Sequence, residues 1–298
     1  MMHRIAAVVV TYNRLELLKE CLAALRAQTR RPDEIIVVNN GSTDGTAAWL
    51  ATQSGLTVIT QVNLGSSGGQ CAGIKAAFAK GHDWFWCMDD DTIPDPDCLE
   101  QLLQSPVAAD PATGFLASLV RWTDGTLHSL NRPELASDLP VESCLSNPFE
   151  PVRSSSFVSL LVRREAVEEC GLPLAPLFIW ADDVEFTRRL GRRYKGYLIP
   201  SSRALHKTIA HTGGSLDDLN DQNAFKFAYG LRNWVYIVRT TTTTYRLYHL
   251  RSAIRMIIRQ TPVLFQKCSA PVAFRLCCSM LRGLVFNPRV KFPAEDKN

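Results

Sequence analysis

Residues 84–91 read Trp-Phe-Trp-Cys-Met-Asp-Asp-Asp, a run of bulky apolar side chains that ends on three consecutive carboxylates. A short uncharged run of this kind suits a strand buried on both faces. Three adjacent carboxylates repel one another and lose hydration near a buried strand, so Asp89, Asp90 and Asp91 imply a cation at its carboxyl end. Hard divalent cations, Mg2+ or Mn2+, take oxygen ligands and bridge to substrate phosphates. A solvated acidic turn capping a helix after Pro94 is the purely structural alternative.

Upstream, strand and helix patterns alternate. Ile5–Val10 reads as a buried strand and Leu15–Gln28 as a helix; Glu34–Val38 is a strand, and Thr43–Gln53 a helix capped by Ser42 or Thr43. Leu56–Gln61 is a strand, Gly69–Lys80 a helix and Asp83–Met88 a strand. This order predicts an α/β fold, Rossmann-like, with a mostly parallel central sheet, helices on both faces and ligands at the strands' carboxyl ends. Downstream, residues 121–155 are dotted with Pro and Ser and suit a surface that shapes a substrate pocket. Phe157–Val162 is a strand, Asp182–Arg193 a helix, Tyr197–Pro200 and Arg203–His206 two short extended pieces, and Asn220–Arg239 a long helix.

The polar residues after each strand are the candidate ligand groups. Thr11, Tyr12, Asn13 and Arg14 follow the first strand, where they serve equally as helix caps. Asn39 and Asn40 open the turn after the second. Asn63, Gly65, Gly68 and Gly69 lie in Asn63-Leu64-Gly65-Ser66-Ser67-Gly68-Gly69, where glycines let backbone N–H groups approach a phosphate. That stretch matches neither GxxxxGKS nor GxGxxG, which disfavours an ATPase or an ordinary dinucleotide site.

A second acidic cluster, Asp182, Asp183 and Glu185, opens a predicted helix behind Phe178, Ile179 and Trp180. The helix dipole alone accounts for acids there. The apolar lead also half-buries a carboxylate, which raises its pKa toward that of a general base, and Trp180 offers a flat face to a sugar ring. His206, taken by itself, reads as a structural hydrogen-bonding residue.

The chain of 298 residues is 46% apolar, which excludes disorder, a collagen-like repeat and a small disulfide scaffold. Nine cysteines without a CxxC pair read as free thiols in a reducing compartment. With no membrane-spanning run and no signal peptide, a cytoplasmic protein is expected. Residues 1–221 carry 20 Lys and Arg against 27 Asp and Glu, whereas residues 222–294 carry 12 basic residues and no acidic one. In this tail Tyr248, Ile254, Met256, Ile257, Ile258, Leu264 and Phe265 interleave with Arg251, Arg255 and Arg259, a pattern for a helix lying on an anionic membrane surface. The alternatives are packing on the body or on a second copy in a homo-oligomer. Nucleic-acid binding is disfavoured by the acidic body.

Together, VVVTYNR, IIVVNNGSTDGT, NLGSSGG and the DDD triplet resemble the inverting nucleotide-sugar glycosyltransferases of the GT-A fold, glycosyltransferase family 2. IWADDVEF, His206 and Tyr229-Gly230-Leu231-Arg232-Asn233 are similar to the galactofuranosyltransferase and rhamnosyltransferase branch. The resemblance implies a GT-A catalytic domain over 1–240, with 1–97 as the nucleotide-sugar half and 98–240 as the acceptor half, and a basic helical tail over 241–298. It implies that Thr11, Tyr12, Asn13, Arg14, Asn39 and Asn40 line the nucleotide pocket, that residues 63–69 lie along the diphosphate, and that Asp90 sits near the donor sugar. Asp89, Asp91 and His206 would hold Mn2+ or Mg2+, Asp183 would be the base, and Trp180 and Asp182 would meet the acceptor. The implied reaction moves galactofuranose from UDP-galactofuranose to a hydroxyl of a lipid-linked bacterial glycan at the inner membrane's cytoplasmic face. The alternatives are transfer from dTDP-rhamnose and a non-catalytic nucleotide-sugar-binding protein.

Overall fold

Ile5–Thr11 forms β1 and is buried throughout, as small and β-branched residues covered on both faces must be. The structure, a computed structural model, describes residues 3–208, 215–240 and 246–295. Strands β2 (Glu34–Asn39), β3 (Thr57–Thr60) and β4 (Trp84–Asp89) complete a parallel half-sheet ordered β3-β2-β1-β4. Helices α1 (Leu15–Arg26), α2 (Thr46–Ala51) and α3 (Gly65–Ala79) are its crossovers. There follow β5 (Thr92–Pro94), α4 (Cys98–Gln104), β6 (Thr113–Arg121), β7 (Glu134–Leu135), β8 (Glu150–Ser154), β9 (Leu160–Arg163), α5 (Arg164–Cys170), α6 (Asp182–Leu190) and β10 (Lys195–His206).

The sheet continues from β4 through β9, β6, β10 and β8 to β7, with β5 on β10. The parallel sheet expected from the sequence holds up to β4. Beyond it the sheet is mixed, because β9 runs antiparallel to both β4 and β6. Side-chain alternation gives each face a core: Ile5, Ala7, Val9, Trp84, Trp86 and Met88 pack with α1 and α4. Ala6, Val8, Phe85 and Cys87 pack with α3 and α5.

Several expected boundaries shift. Helix α2 begins at Thr46 behind left-handed Gly45, not at a Ser42 or Thr43 cap, because Asp44 Oδ1 already accepts from Thr46 N and Oγ1. The expected glycine loop is largely helix: Gly65, Gly68 and Gly69 belong to the first turns of α3. A Cβ on Gly69 would stand 2.4 Å from Val10 Cγ1, and one on Gly73 2.3 Å from Val8 Cγ1, so these glycines set how closely α3 approaches β1. The two extended pieces near residue 200 are one strand, β10, whose pairing with β6 shifts register between Ile199 and Arg203.

The chain forms two units, the first comprising Met1–Ala175, Asp183–His211 and Val290–Asn298, the second Pro176–Asp182 and Thr212–Arg289. In the second unit α7 (Ala224–Thr240) packs with α8 (Arg246–Lys267) and α9 (Ala270–Gly283) around Phe227, Leu231, Val235, Leu264, Leu276 and Met280. Gly283 lets α9 approach α7 closely, since a Cβ there would lie 2.6 Å from Arg232 O. Of the threonine run read as a seam, residues 241–244 lie outside the described residues. Among the described residues no helix is long and apolar enough to cross a membrane.

Candidate active site

Asp91 and His206, 115 residues apart, meet because β5 starts immediately after the acidic triplet and runs antiparallel along the end of β10. Thr92 pairs with His206, and Lys207 N donates to Asp91 O at 2.8 Å. His206 Nε2 thereby lies 3.0 Å from Asp91 Oδ1, with both side chains buried. On its other side the ring is held by Asn131, whose Oδ1 is 2.7 Å from His206 Nδ1 and whose Nδ2 donates to Ser156 Oγ at 3.0 Å. Asn131 lies in the segment read as a loose substrate surface, and nothing in its sequence context signals this contact.

The three acids have different partners. Asp91 accepts from Arg14 and His206, and despite burial these bonds and charges hold its carboxyl down at about 2. Asp90 is pushed up to about 7 by burial and by the Asp91 charge. Its Oδ2 accepts from Thr11 Oγ1 at 2.7 Å and Tyr12 N at 3.3 Å. Asp90 thus turns back to the β1 loop. Burial and the charge of Asp91 raise Asp89, whose Oδ1 accepts from Ser66 Oγ at 3.3 Å. Burial tends to lower the pKa of Arg14, but Asp91, Asp90 and Asp89 outweigh it and the net shift is upward.

Much of the expected nucleotide-pocket set is engaged in building the loops. Thr11 is buried against Asp90. Asn13, with φ +54°, donates from its backbone N to Ser42 Oγ and accepts from Thr43 N at 2.7 Å, which joins the β1 and β2 loops. Asn40 Nδ2 donates to Gly65 O, and Asn63 Oδ1 accepts from Gly65 N, each at 2.9 Å. Asn39 differs: its Oδ1 accepts from Ser42 N, while its buried Nδ2 has no hydrogen-bond partner among the described residues. The Tyr12 ring is exposed.

Asp183 lies in the first turn of α6 and belongs to the first unit. Burial pushes its carboxyl up to about 6, against the bond from Val184 N at 2.7 Å and reinforced by the Asp89 charge. A carboxyl so placed is ionised at neutral pH yet basic enough to accept a proton from a hydroxyl.

Within the second unit, the segment Pro176–Asp182 is held by α7. Phe178, Trp180 and Ala181 all have positive φ (+68°, +65° and +62°), a conformation costly for any residue that carries a Cβ. Asn233 Nδ2 offsets this by lying 2.9, 3.1 and 2.8 Å from the carbonyls of Leu177, Ile179 and Trp180. Phe178 stacks on Tyr229 with ring centroids 4.5 Å apart, and Trp180 meets Phe227 edge-on. A Cβ on Gly230 would lie 2.8 Å from Trp180 Cε3. The Tyr229–Asn233 motif therefore shapes the segment that presents Trp180 and Asp182.

Among the described residues no three His, Cys, Asp or Glu side chains converge on one point, so the expected Asp89, Asp91 and His206 triad is gathered only as the Asp91–His206 pair. A carboxylate and an imidazole within a surplus of buried negative charge suit a hard divalent cation, which keeps water and substrate phosphate among its ligands. Asp91 and His206 would hold it, and when bound it would neutralise a leaving diphosphate.

An α/β sheet with an acidic triplet, a histidine and a raised carboxyl at its carboxyl edge has the GT-A glycosyltransferase architecture. The profile described as glycosyl transferase family 2 matches residues 6–171, and the chain belongs to that family. It is 34% identical over 197 residues to the galactofuranosyltransferase GlfT1 of Mycolicibacterium smegmatis, covering 63% of this chain and 65% of that protein. The match thus spans just under two thirds of that relative's length. It is 28% identical over 237 residues to the N-acetylglucosaminyl-diphospho-decaprenol L-rhamnosyltransferase of Mycobacterium tuberculosis, covering 69% and 76% of the two chains. The structure of GalNAc-T7 with UDP, GalNAc and Mn2+ superposes with a TM-score of 0.61 at 17% identity, over 85% of this chain and 50% of that one, and shares the fold.

Proposed function

We propose that this glycosyltransferase moves galactofuranose from UDP-galactofuranose, with inversion, to a hydroxyl of a lipid-linked bacterial glycan. The observation that carries the chemistry is the raised Asp183 carboxyl in the same unit as the Asp91–His206 pair. Asp183 takes the proton of the acceptor hydroxyl as it attacks the anomeric carbon from the face opposite the leaving diphosphate. Arg14 and the cation site offset the negative charge that collects at the diphosphate. The unmet donor of Asn39 suits a bound nucleotide. The likeness to GlfT1 supports the galactofuranosyl donor, and the rhamnosyltransferase match makes dTDP-rhamnose the second reading. A lipid-linked acceptor puts the enzyme at a membrane surface, and the acid-free segment 222–294 supports that location.

The test is turnover and binding of UDP-galactofuranose, UDP-galactopyranose, UDP-glucose and dTDP-rhamnose with and without Mn2+. Metal-dependent selection of UDP-galactofuranose is expected. Selection of dTDP-rhamnose would transfer the assignment to the sister activity, and indifference to every donor would overturn it.

A further inference from the structure

Helix α8 turns an apolar stripe outward. At about 100° per residue, Leu247, Ile254, Ile258 and Phe265 fall within about 40° of one another around the helix axis. All four are exposed, Ile258 to 66% and Leu247 to 62%. Arg251 lies beside the stripe, Arg255 and Arg259 flank it on one side, and all three are exposed with no ion pair to a described residue. The buried face of the helix, through Ala253 and Leu264, lies about 110° around the axis from the stripe and packs in the core of the second unit, so the outward residues are surplus to that core.

Helix α9 repeats the pattern. Its inward residues Val272, Leu276 and Met280 are buried, while Phe274 and Leu281, seven residues apart, and Val285 just beyond the helix are exposed beside Arg275 and Arg282. Single exposed apolar residues are ordinary on a protein surface, but stripes on successive helices are not.

We propose that α8 and α9 lay these faces into the headgroup layer of an anionic bilayer, with the apolar stripes reaching the acyl boundary and the arginines on lipid phosphates. Charge decides the occupant. From residue 222 to 294 the chain has twelve cations and no anion, so a second copy of this segment would set like charge on like. The side chains between the α8 arginines are mostly aliphatic and lack the flat faces on which nucleobases stack, whereas they match a lipid interface. The inference deepens the lipid-linked-acceptor reading, yet vesicle binding is measured without donor or acceptor, so either can fail alone.

The experiment is co-sedimentation of the full chain with extruded vesicles of phosphatidylcholine, with and without a minority of phosphatidylglycerol. Binding is expected only to the anionic vesicles. At about fivefold per cation near such a surface, the Arg251→Gln, Arg255→Gln, Arg259→Gln variant should bind on the order of 10²-fold more weakly. The Ile254→Asn, Ile258→Asn, Phe265→Asn variant keeps every charge and should lose at least about tenfold through the buried apolar area. Both variants alter exposed side chains, and unchanged circular dichroism and donor turnover in solution serve as the folding control. The proposal is overturned if the chain ignores anionic vesicles, or if the apolar variant binds them like the parent. Light scattering that finds a dimer abolished by the same substitutions would overturn it in favour of a second copy, and displacement from vesicles by duplex DNA would overturn it in favour of nucleic acid.

Discussion

Lowering the pH through 6 should switch off transfer by protonating Asp183. Burial has pushed this carboxyl up to about 6, roughly two units above an ordinary aspartate. A base acts only when ionised, so the raised value moves the loss of activity into an accessible range. With that pKa, about 97% of Asp183 is ionised at pH 7.5 and about 9% at pH 5, so kcat/KM should fall about tenfold between them. An aspartate at its ordinary value would leave the rate nearly flat over the same interval. Asp183→Asn should lower kcat by about 10²-fold or more while donor affinity stays near wild type, and its profile should lose this acid limb. Release of the nucleoside diphosphate, with water as acceptor at saturating Mn2+, reads the same proton transfer without the natural acceptor. A flat wild-type profile down to pH 5, or an unchanged limb in Asp183→Asn, would refute the assignment. A limb that persists there and disappears in Asp90→Asn would belong to Asp90, which burial and Asp91 push up to about 7.

Asn131→Ala should weaken Mn2+ binding about 10- to 100-fold in calorimetric titration, because His206 loses the partner that orients its ring; unchanged titration would make Asn131 a loop residue only. Gly73→Ala should destabilise the chain despite a gain of about 1 kcal/mol in helix propensity, since the new Cβ would stand 2.3 Å from Val8 Cγ1 and overpacking costs about 1–3 kcal/mol. A melting temperature lower by a few degrees is expected, and an unchanged one would show that α3 can lift from the sheet. Asn233→Ala should cost about 1–3 kcal/mol in denaturant unfolding of the second unit, because the buried Leu177 carbonyl and the half-buried Ile179 and Trp180 carbonyls lose their donor. Asn233→Asp should not restore that stability, since a carboxylate cannot donate.

The parallel half of the fold was readable because each of β1, β2 and β4 is a compact apolar run followed by polar residues, and because the acidic triplet has few structural explanations. The mixed half was less so. Phe157–Ser159 shares its apolar start with β9 but lies outside the strand, and periodicity does not show that β9 runs antiparallel. His206 carried no local signal: its role depends on β5 pairing with β10, a contact across more than a hundred residues. Asn131 has no signal for the same reason, and Asn233 stands out only as part of the Tyr229–Asn233 motif, its bonds to the carbonyls of residues 177, 179 and 180 lying wholly in distant partners. The glycines of Asn63–Gly69 were recognised as places of close approach, but Gly68 and Gly69 approach Leu64 and Val10. Sequence composition alone does not distinguish a glycine that admits a ligand from one that admits a neighbouring element.

The chain enters the second unit and then returns to the first. Leu172 N donates to Lys291 O at 2.8 Å, and a Cβ on Gly171 would lie 2.3 Å from Val290 Cγ1. Residues 212–289 are thus an insertion in the catalytic unit rather than an appendage to it. A stop codon placed to remove the basic helices would also strip residues that line the Gly171 turn, and loss of activity would be wrongly credited to the helices. Removal of the basic helices must therefore leave the final segment in place and spare α7, since Asn233 on that helix holds the segment Pro176–Asp182.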